Sequence, residues 1–312
     1  MHTVPMTSGI VLGAGGIIGP AYHLSVLRSL RDRDGADPSA AGLFVGTSGG
    51  AIIAGLLASG FSVDEVAAAF DIDGLGQAPS NDLSHAVQGL LTVPALAWGR
   101  FQLPSRLPHH AYPDARQRRA LWTSRLFAGG DVDPLAYASP FEAVLPSTWP
   151  SRLRICAMHV DSGNRRVFGP DDGVPVVLAA AASCAVPGMF RAVTIEGEDY
   201  SDGGYYSPTN ADVALGFDMQ AVTISSPMTS PMRSLPVSPD HPIRVGLHAV
   251  VNRERRNLRQ GGACVTLVEP DVATRWLIGG DYMNASKGPA IAKAISAMLL
   301  KQTKAPQHGL IA

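Results

Sequence analysis

The chain has 312 residues, 46% of them apolar and 16% charged, with a formal net charge of −1 at pH 7. This composition predicts a globular protein with a sizeable core, built as one large α/β domain or two small ones. A charge so close to zero argues against nucleic acid as the main partner.

The cysteines and the N-terminal residues indicate the cellular compartment and whether a metal site is expected. Cys156, Cys184 and Cys264 are scattered and form no C-x-x-C pair, so we expect three buried thiols rather than disulfides or a zinc site. Residues 1–8 lack the basic and apolar segments of a signal peptide, and no run approaches the ~20 apolar residues of a membrane span. We expect a soluble, cytoplasmic protein.

The first predicted strand, Ser8 to Leu12, runs into a glycine-rich loop that opens a helix. Such a loop either lets a pyrophosphate approach the helix N-terminus or presents amides to a developing oxyanion. Ile18 stands where the dinucleotide fingerprint needs its third glycine, and the next strand does not end in an acidic residue. Dinucleotide binding is therefore disfavoured, and a structural turn stays open. The glycines of the loop are Gly13, Gly15, Gly16 and Gly19.

The second predicted strand, Leu43 to Val45, leads into the pattern of a nucleophile elbow. Gly46, Ser48 and Gly50 form G-x-S-x-G, and Ala51 to Ser59 reads as a helix. A serine in so sharp a turn takes a strained backbone conformation, and its flanking positions favour glycine. The N–H groups that open the helix would point toward an oxyanion formed beside the serine.

Residues 71–150 are rich in proline and turn residues, with predicted helical stretches at 83–91 and 114–128. We expect a helical cap packed on the main core, and a lid or acyl-chain pocket is the functional alternative. Four arginines favour a solvated face over contact with anionic headgroups, and two adjacent histidines lack metal-site spacing. These residues are Arg116, Arg118, Arg119, Arg125, His109 and His110.

The second half of the chain supplies a carboxylate at a predicted strand end. Asp202 is followed by Gly203 and Gly204, and taken alone these residues favour an ordinary Asp-Gly turn. Strands alternating with helices predict a mostly parallel sheet covered on both faces. The strands are expected at 153–160, 165–168, 190–195, 220–225 and 264–268, and the helices at 174–184, from 208 onward, at 243–260 and at 284–300.

Three motifs in this order resemble the patatin-like phospholipase family, over most of the chain. Each motif is weak alone, but the three together are specific. They are Gly15-Gly16-Ile17-Ile18-Gly19, then Gly46-Thr47-Ser48-Gly49-Gly50, then the block Ala182 to Phe190 leading to Asp202-Gly203-Gly204 and Asn210-Ala211.

The resemblance implies a three-layer α/β/α sandwich, one domain over residues 1–312 with its cap near 71–150. It implies lipid acyl hydrolysis by a Ser–Asp dyad, without a catalytic histidine, metal or cofactor. Ser48 would be the nucleophile and Asp202 the base, through an acyl-enzyme. The substrate would be a lipid or another acyl ester, met in transient contact with a membrane surface. The implied oxyanion donors are Gly15, Gly16 and Gly49, supported by Gly13, Gly19, Gly46, Gly50, Gly203 and Gly204.

The chain departs from the family at Ile18, where the loop usually carries Arg or Lys, which puts the substrate's polar group in question. Three alternatives stay open. A histidine-dependent α/β-hydrolase would need His241 or His248 to reach Ser48. An acyltransferase or thioesterase could use the same dyad with an acceptor other than water. A lipid- or dinucleotide-binding protein would keep the fold without turnover.

Overall fold

The computed structural model describes residues 7–91, 116–117, 120–121, 130–231, 235 and 240–304. The strands in these ranges are β1 (Ser8–Leu12), β2 (Leu43–Thr47), β3 (Leu153–His159), β4 (Arg165–Phe168), β5 (Val193–Ile195), β6 (Glu198–Asp202), β7 (Ala221–Ser225) and β8 (Cys264–Val268). The α-helices are α1 (Gly19–Asp34), α2 (Gly49–Ala58), α3 (Val63–Ala69), α4 (Asp82–Leu91), α5 (Pro134–Ala138), α6 (Val176–Cys184), α7 (His241–Gln260), α8 (Val272–Ile278) and α9 (Gly288–Lys304).

The strands form one mixed sheet in the order β5-β6-β3-β2-β1-β7-β8, and β4 also pairs with β3. Neighbouring strands are parallel along β3-β2-β1-β7-β8. Strands β4 and β6 pair antiparallel with β3, and β5 pairs antiparallel with β6. The predicted, mostly parallel sheet is thereby confirmed. In such a sheet the carboxyl ends of the parallel strands share one edge, which is where ligands bind.

Helices cover both faces of this sheet. Along β1, Ile10 and Leu12 pack in one core with α2 and α6, whereas Val11 packs in a second core with α7. This alternation is the period-two pattern of a strand buried on both sides. A third cluster joins α1 to α9 through side chains such as Tyr22 and Ile295. The three-layer α/β/α architecture is confirmed.

Local sequence signals set several helix ends. Ser62 caps α3: it accepts a hydrogen bond from the Glu65 amide at 3.2 Å, and the Glu65 carboxylate accepts one from the Ser62 amide at 2.8 Å. This capping box satisfies donors that have no partner inside the helix. Helix α1 ends at Gly35, whose φ of 72° is a conformation that glycine adopts without strain.

Some elements differ from the predictions. The turn after Asn210 continues as a 3-10 helix, Ala211–Phe217, and α8 was not predicted. Cys156 is buried, but burial of all three thiols is wrong, because Cys264 opens the edge strand β8 and is exposed.

Only parts of the expected cap are described. Helix α4 confirms the predicted stretch at 83–91, while residues 92–115, 118–119 and 122–129, with most of the predicted stretch at 114–128, lie outside the described ranges. The histidine pair His109-His110 and the arginines Arg118, Arg119 and Arg125 therefore lie outside them too. A solvated face is wrong for Arg116, which donates to the carboxylates of Asp212 and Glu254.

Within the described ranges, no helix combines the length and apolar character needed to cross a membrane. The same ranges contain no group of three or more His, Cys, Asp or Glu side chains placed to hold a metal ion.

Candidate active site

Ser48 occupies the sharp turn between β2 and α2. Its φ of 55° and ψ of −133° are strained for a residue with a side chain, as the elbow pattern predicted. A Cβ on Gly46 would lie 2.5 Å from the Ala51 Cα, and one on Gly50 would overlap the Leu12 carbonyl oxygen. The glycines flanking the serine are therefore required by the close approach of backbone.

Asp202 ends β6 with only 3% of its surface exposed. Its carboxylate accepts a hydrogen bond from the Gly204 amide at 2.7 Å, and the Ser48 hydroxyl lies close enough to lower its pKa. A Cβ on Gly203 would overlap the Cys156 carbonyl oxygen, so glycine lets β6 end against β3. The structure thus brings together the two residues that the sequence placed 154 positions apart.

Burial sets the basicity of Asp202. It raises the pKa of the carboxyl to about 6, although the hydrogen bonds from Ser48 and Gly204 lower it in part. Removal from water disfavours the charged form, whereas donors favour it. A carboxylate with a pKa near 6 is a stronger base than an exposed aspartate and is still mostly ionised at neutral pH.

The glycine-rich loop lies against the elbow. The amides of Gly13 and Ala14 donate to the carbonyls of Ser225 and Pro208, at 3.0 and 2.8 Å, and so are already engaged. Gly16 has a φ of 58°, and a Cβ on Gly49 would overlap the Gly16 carbonyl oxygen. The loop and the first turn of α2 therefore touch beside Ser48.

Three amides around this contact fit the expected oxyanion donors. In the described part of the chain, the amides of Gly15 and Gly16 have no protein acceptor. Gly49 is the first residue of α2, where an N–H has no acceptor within the helix. Gly19 continues the loop into α1 as that helix's first residue.

Ile18 does not face the site. Its side chain is fully buried in the cluster that includes Tyr22 and Ile291, and its amide donates to the Tyr282 carbonyl at 3.2 Å. The neighbouring Ile17 lines the pocket beside Ser48. An apolar residue at position 18 therefore serves the packing of α1 on α9.

An apolar pocket opens at Ser48. Its walls come from the glycine loop, α2, α4, α5 and α6, so parts of the expected cap form one side of it. The lining residues are Gly16, Ile17, Pro20, Ser48, Gly49, Ile52, Leu90, Pro134, Tyr137, Ala138, Ala180, Ala181, Cys184, Val186, Phe190 and Met283. Such a lining suits an acyl chain better than a polar ligand.

His241, His248 and His23 contact groups other than Ser48. His241 lies 3.2 Å from the Arg275 guanidinium, and His248 contacts the Glu269 carboxylate at 2.8 Å. His23 is buried under the glycine loop, where its Nε2 donates to the Gly13 carbonyl at 2.9 Å. Burial lowers the pKa of His23 to about 4, so the ring is neutral and structural at physiological pH. The partner seen for Ser48 is Asp202.

Side chains that the sequence analysis did not single out brace the site. The Ser183 hydroxyl accepts the Ser48 amide at 2.9 Å and donates to the Cys156 carbonyl at 2.6 Å. His23 joins β1 to β7, since its Nδ1 accepts the Ser225 hydroxyl at 2.8 Å. The position of Ser183 inside the third family motif was the only sequence feature that could have indicated its role. No sequence feature indicated the role of His23, because it occupies an apolar helix face.

The structure places an elbow serine beside a buried carboxylate at the carboxyl edge of a three-layer sheet. The family model of the patatin-like phospholipases matches residues 10–215, which is more than half of the chain. The chain belongs to the patatin-like phospholipase family and so falls, in general terms, among the lipid acyl hydrolases.

Three solved structures are similar. VipD from Legionella pneumophila is 13% identical, with 96% of this chain and 68% of that chain covered and a TM-score of 0.43. The type III effector ExoU is 15% identical, with 96% and 54% covered and a TM-score of 0.35. Full-length ExoU from Pseudomonas aeruginosa, in complex with SpcU, is 16% identical, with 96% and 53% covered and a TM-score of 0.31. The chain therefore spans about half the length of ExoU. No curated protein matches.

Proposed function

We propose that the protein is a serine lipid acyl hydrolase that cleaves carboxylic esters, with Ser48 as nucleophile and Asp202 as general base. The observation that carries this proposal is that the Ser48 hydroxyl, in a strained elbow beside an apolar pocket, interacts with the buried Asp202 carboxylate. The family membership supports the general class, and this contact supports the specific chemistry.

In the first half-reaction, the Ser48 oxygen attacks the ester carbonyl while its proton passes to the Asp202 carboxylate. The carbonyl oxygen becomes an oxyanion, which the amides of Gly15, Gly16 and Gly49 would stabilise. Deletion of one such donor typically costs roughly 3 to 4 kcal/mol of transition-state stabilisation. Collapse of the tetrahedral intermediate expels the alcohol, which takes the proton from Asp202, and leaves an acyl group on Ser48.

In the second half-reaction, water attacks the acyl-enzyme. Asp202 takes a proton from that water and returns it to the Ser48 oxygen as the acid leaves, so both residues end in their starting states. One carboxylate thus serves as base and then as acid in each half-reaction. Its pKa of about 6 lies near the working pH, where both proton transfers are favourable.

The proposal extends to the substrate and the domain. The apolar lining next to Ser48 supports a fatty acyl chain, and transient contact with a lipid surface would deliver it. We propose one domain over residues 1–312, with residues 71–150 as its cap. Leu90 of α4 and Ala138 of α5 support this, because they line the same pocket as Ser48.

A fluorophosphonate probe tests for the activated serine. We expect intact mass to show a single adduct on the parent protein and none on Ser48→Ala. Ser162→Ala is the matched control, because the Ser162 hydroxyl also contacts a basic side chain, the His159 ring, at 3.0 Å. This control should label like the parent.

Turnover of short- and long-chain acyl esters completes the test, and only Ser48→Ala should lose it. A label that survives Ser48→Ala would contradict the assignment of the nucleophile. A parent protein that neither labels nor turns over, even with detergent micelles, would favour a lipid-binding protein without activity.

A further inference from the structure

One buried side-chain amide contacts the neighbours of both proposed dyad residues. The Asn210 Nδ2 donates to the Thr47 hydroxyl at 3.1 Å and to the Gly203 carbonyl at 3.3 Å. Thr47 directly precedes Ser48, and Gly203 directly follows Asp202. Asn210 is fully buried and is absent from the pocket lining, so its side chain joins the two turns from behind.

The sheet itself does not fix the distance between these turns. Strands β2 and β6 pair with β3 but not with each other. The pairing of β2 ends at the Thr47–Cys156 pair, and that of β6 begins at the Ala157–Asp202 pair. Both turns therefore leave the sheet at neighbouring residues of β3. Beyond this point, side-chain contacts must set how Ser48 faces Asp202.

Asn210 is itself held in an unusual conformation. Its φ of 51° lies in the left-handed region, which asparagine tolerates better than most residues. Its amide donates to the Ser207 hydroxyl at 3.0 Å, and its Nδ2 also donates to the Ser207 carbonyl at 2.9 Å. The loop thus orients the side chain toward Thr47 and Gly203.

A buried carboxylate anchors this loop from the opposite side. Glu254 of α7 has no exposed surface. Its Oε1 accepts the Ser207 hydroxyl at 2.7 Å, and its Oε2 accepts the Thr209 hydroxyl at 2.7 Å and the Ala211 amide at 3.0 Å. These three attachments, two before Asn210 and one after it, leave the loop little freedom to shift.

Two arginines balance the charge of Glu254. The Arg116 Nη1 lies 3.1 Å from Glu254 and 3.0 Å from Asp212, and Arg165 also pairs with Asp212. Both guanidinium groups lie over the Tyr206 ring. This cluster of two cations and two anions has no net charge, which makes burial of Glu254 tolerable.

We propose that Asn210 is a positioning residue for the Ser48–Asp202 dyad, held in register by Glu254. This inference rests on the proposed function, because a dyad must operate for its geometry to matter. Loss of the Asn210 amide would loosen the two turns and lower kcat. It would leave KM nearly unchanged, since the pocket keeps its lining.

Two variants and their combination test this role on the ester substrate that the parent protein turns over. Asn210→Ala removes the contacts with both turns. Thr47→Val keeps the side chain's shape and removes the elbow hydroxyl, which accepts from Asn210 and also donates to the Thr209 carbonyl at 3.5 Å. We expect kcat to fall about 100-fold in Asn210→Ala and about tenfold in Thr47→Val, with KM within about twofold of the parent. The double variant should lose less than the product of the two effects, because both act on one contact.

Ser25→Ala is the control, because it removes a buried hydroxyl that donates to the Ala21 carbonyl within α1. It should change thermal stability but not kcat, which separates a general packing loss from a positioning effect.

An unchanged kcat in Asn210→Ala, or losses that multiply fully in the double variant, would overturn the inference. If Asn210→Ala does not fold, Thr47→Val decides alone, and an unchanged kcat there overturns it. A parent protein without turnover or probe adduct would instead refute the proposed function, and the inference would fall with it.

Discussion

Asp202 and Glu254 are two buried carboxylates in different surroundings. Burial raises the pKa of each, to about 6 in Asp202. Asp202 lies beside Ser48, whose hydroxyl lowers its pKa, and accepts a hydrogen bond from the Gly204 amide. Glu254 lies behind the sheet edge and accepts four hydrogen bonds, one of them from Arg116. In the proposed mechanism Asp202 exchanges a proton with Ser48, whereas Glu254 holds the loop that carries Asn210.

The decisive difference is whether the partners can reverse their roles. The Ser48 hydroxyl can accept as well as donate, so an amide at position 202 could donate to it and still accept from Gly204. At Glu254 each oxygen faces a group that only donates, Arg116 on one side and the Ala211 amide on the other. A neutral amide would therefore fit at position 202 and not at position 254.

The largest expected effect comes from exchanging each carboxylate for its amide. Asp202→Asn should lower turnover by roughly 10⁴-fold, because the general base is lost. The same change should stabilise the fold at pH 8 by up to about 3 kcal/mol, since it removes a charge whose pKa burial has raised. Glu254→Gln should instead destabilise the fold by about 2 kcal/mol, because its amide must oppose a donor.

Chemical unfolding and steady-state kinetics on the two variants check this pair of predictions. Equal stability changes in the two variants would remove the contrast between the sites. Full activity in Asp202→Asn would refute the dyad.

The pH dependence should report the raised pKa of Asp202. Its base form is the carboxylate, so kcat/KM should fall about tenfold per pH unit below about 6 and level off above it. For stability the sign is opposite to that of an ordinary salt-bridged aspartate. The folded state binds the Asp202 proton more tightly than the unfolded state, so this group's contribution falls as pH rises from its ordinary pKa through about 6.

Unfolding measured from pH 4 to 8 checks this sign. The parent should lose stability relative to Asp202→Asn across that range. A pH–rate profile that is flat down to pH 4.5 would show that burial does not raise the pKa in this way.

The smallest expected effect concerns the pocket rather than the carboxylates. Ala138 of α5 lines the pocket and is 5% exposed, so Ala138→Leu should fill part of it. Long-chain esters should then show a KM raised several-fold, about 1 kcal/mol for each CH₂ group denied burial, while short-chain esters keep theirs. Kinetics with esters of increasing chain length measure this. An equal loss for all chain lengths would mean that the acyl chain binds elsewhere.

The elbow and the strands were predictable because their signals are local. Gly46 is required by the approach of Ala51 within the same turn, and the apolar runs of β1 and β2 are buried on both faces. The capping box at Ser62 likewise depends on residues three positions apart. Helix α8 was missed because its seven residues leave Val272 and Trp276 exposed, so no apolar periodicity marks it.

The supporting residues were not predictable, because their partners are distant in the chain. Ser183 meets Ser48 across 135 positions, and Asn210 meets Thr47 across 163. The sequence around Glu254 is that of a basic amphipathic helix, which favours a solvated position for a carboxylate. Only the packing of α7 against the loop after Ser207 shows that this one is buried and bonded.

The sequence by itself determined the three-layer class, the elbow serine and the aspartate beside two glycines, because turns and strand patterns are set by neighbouring residues. The tertiary structure alone decided that Ser48 lies beside Asp202, that burial raises the pKa of that carboxyl, and that Ile18 packs into a core away from the site. Distances between chain-distant groups and their exclusion from water are properties of the folded packing, and no local pattern encodes them.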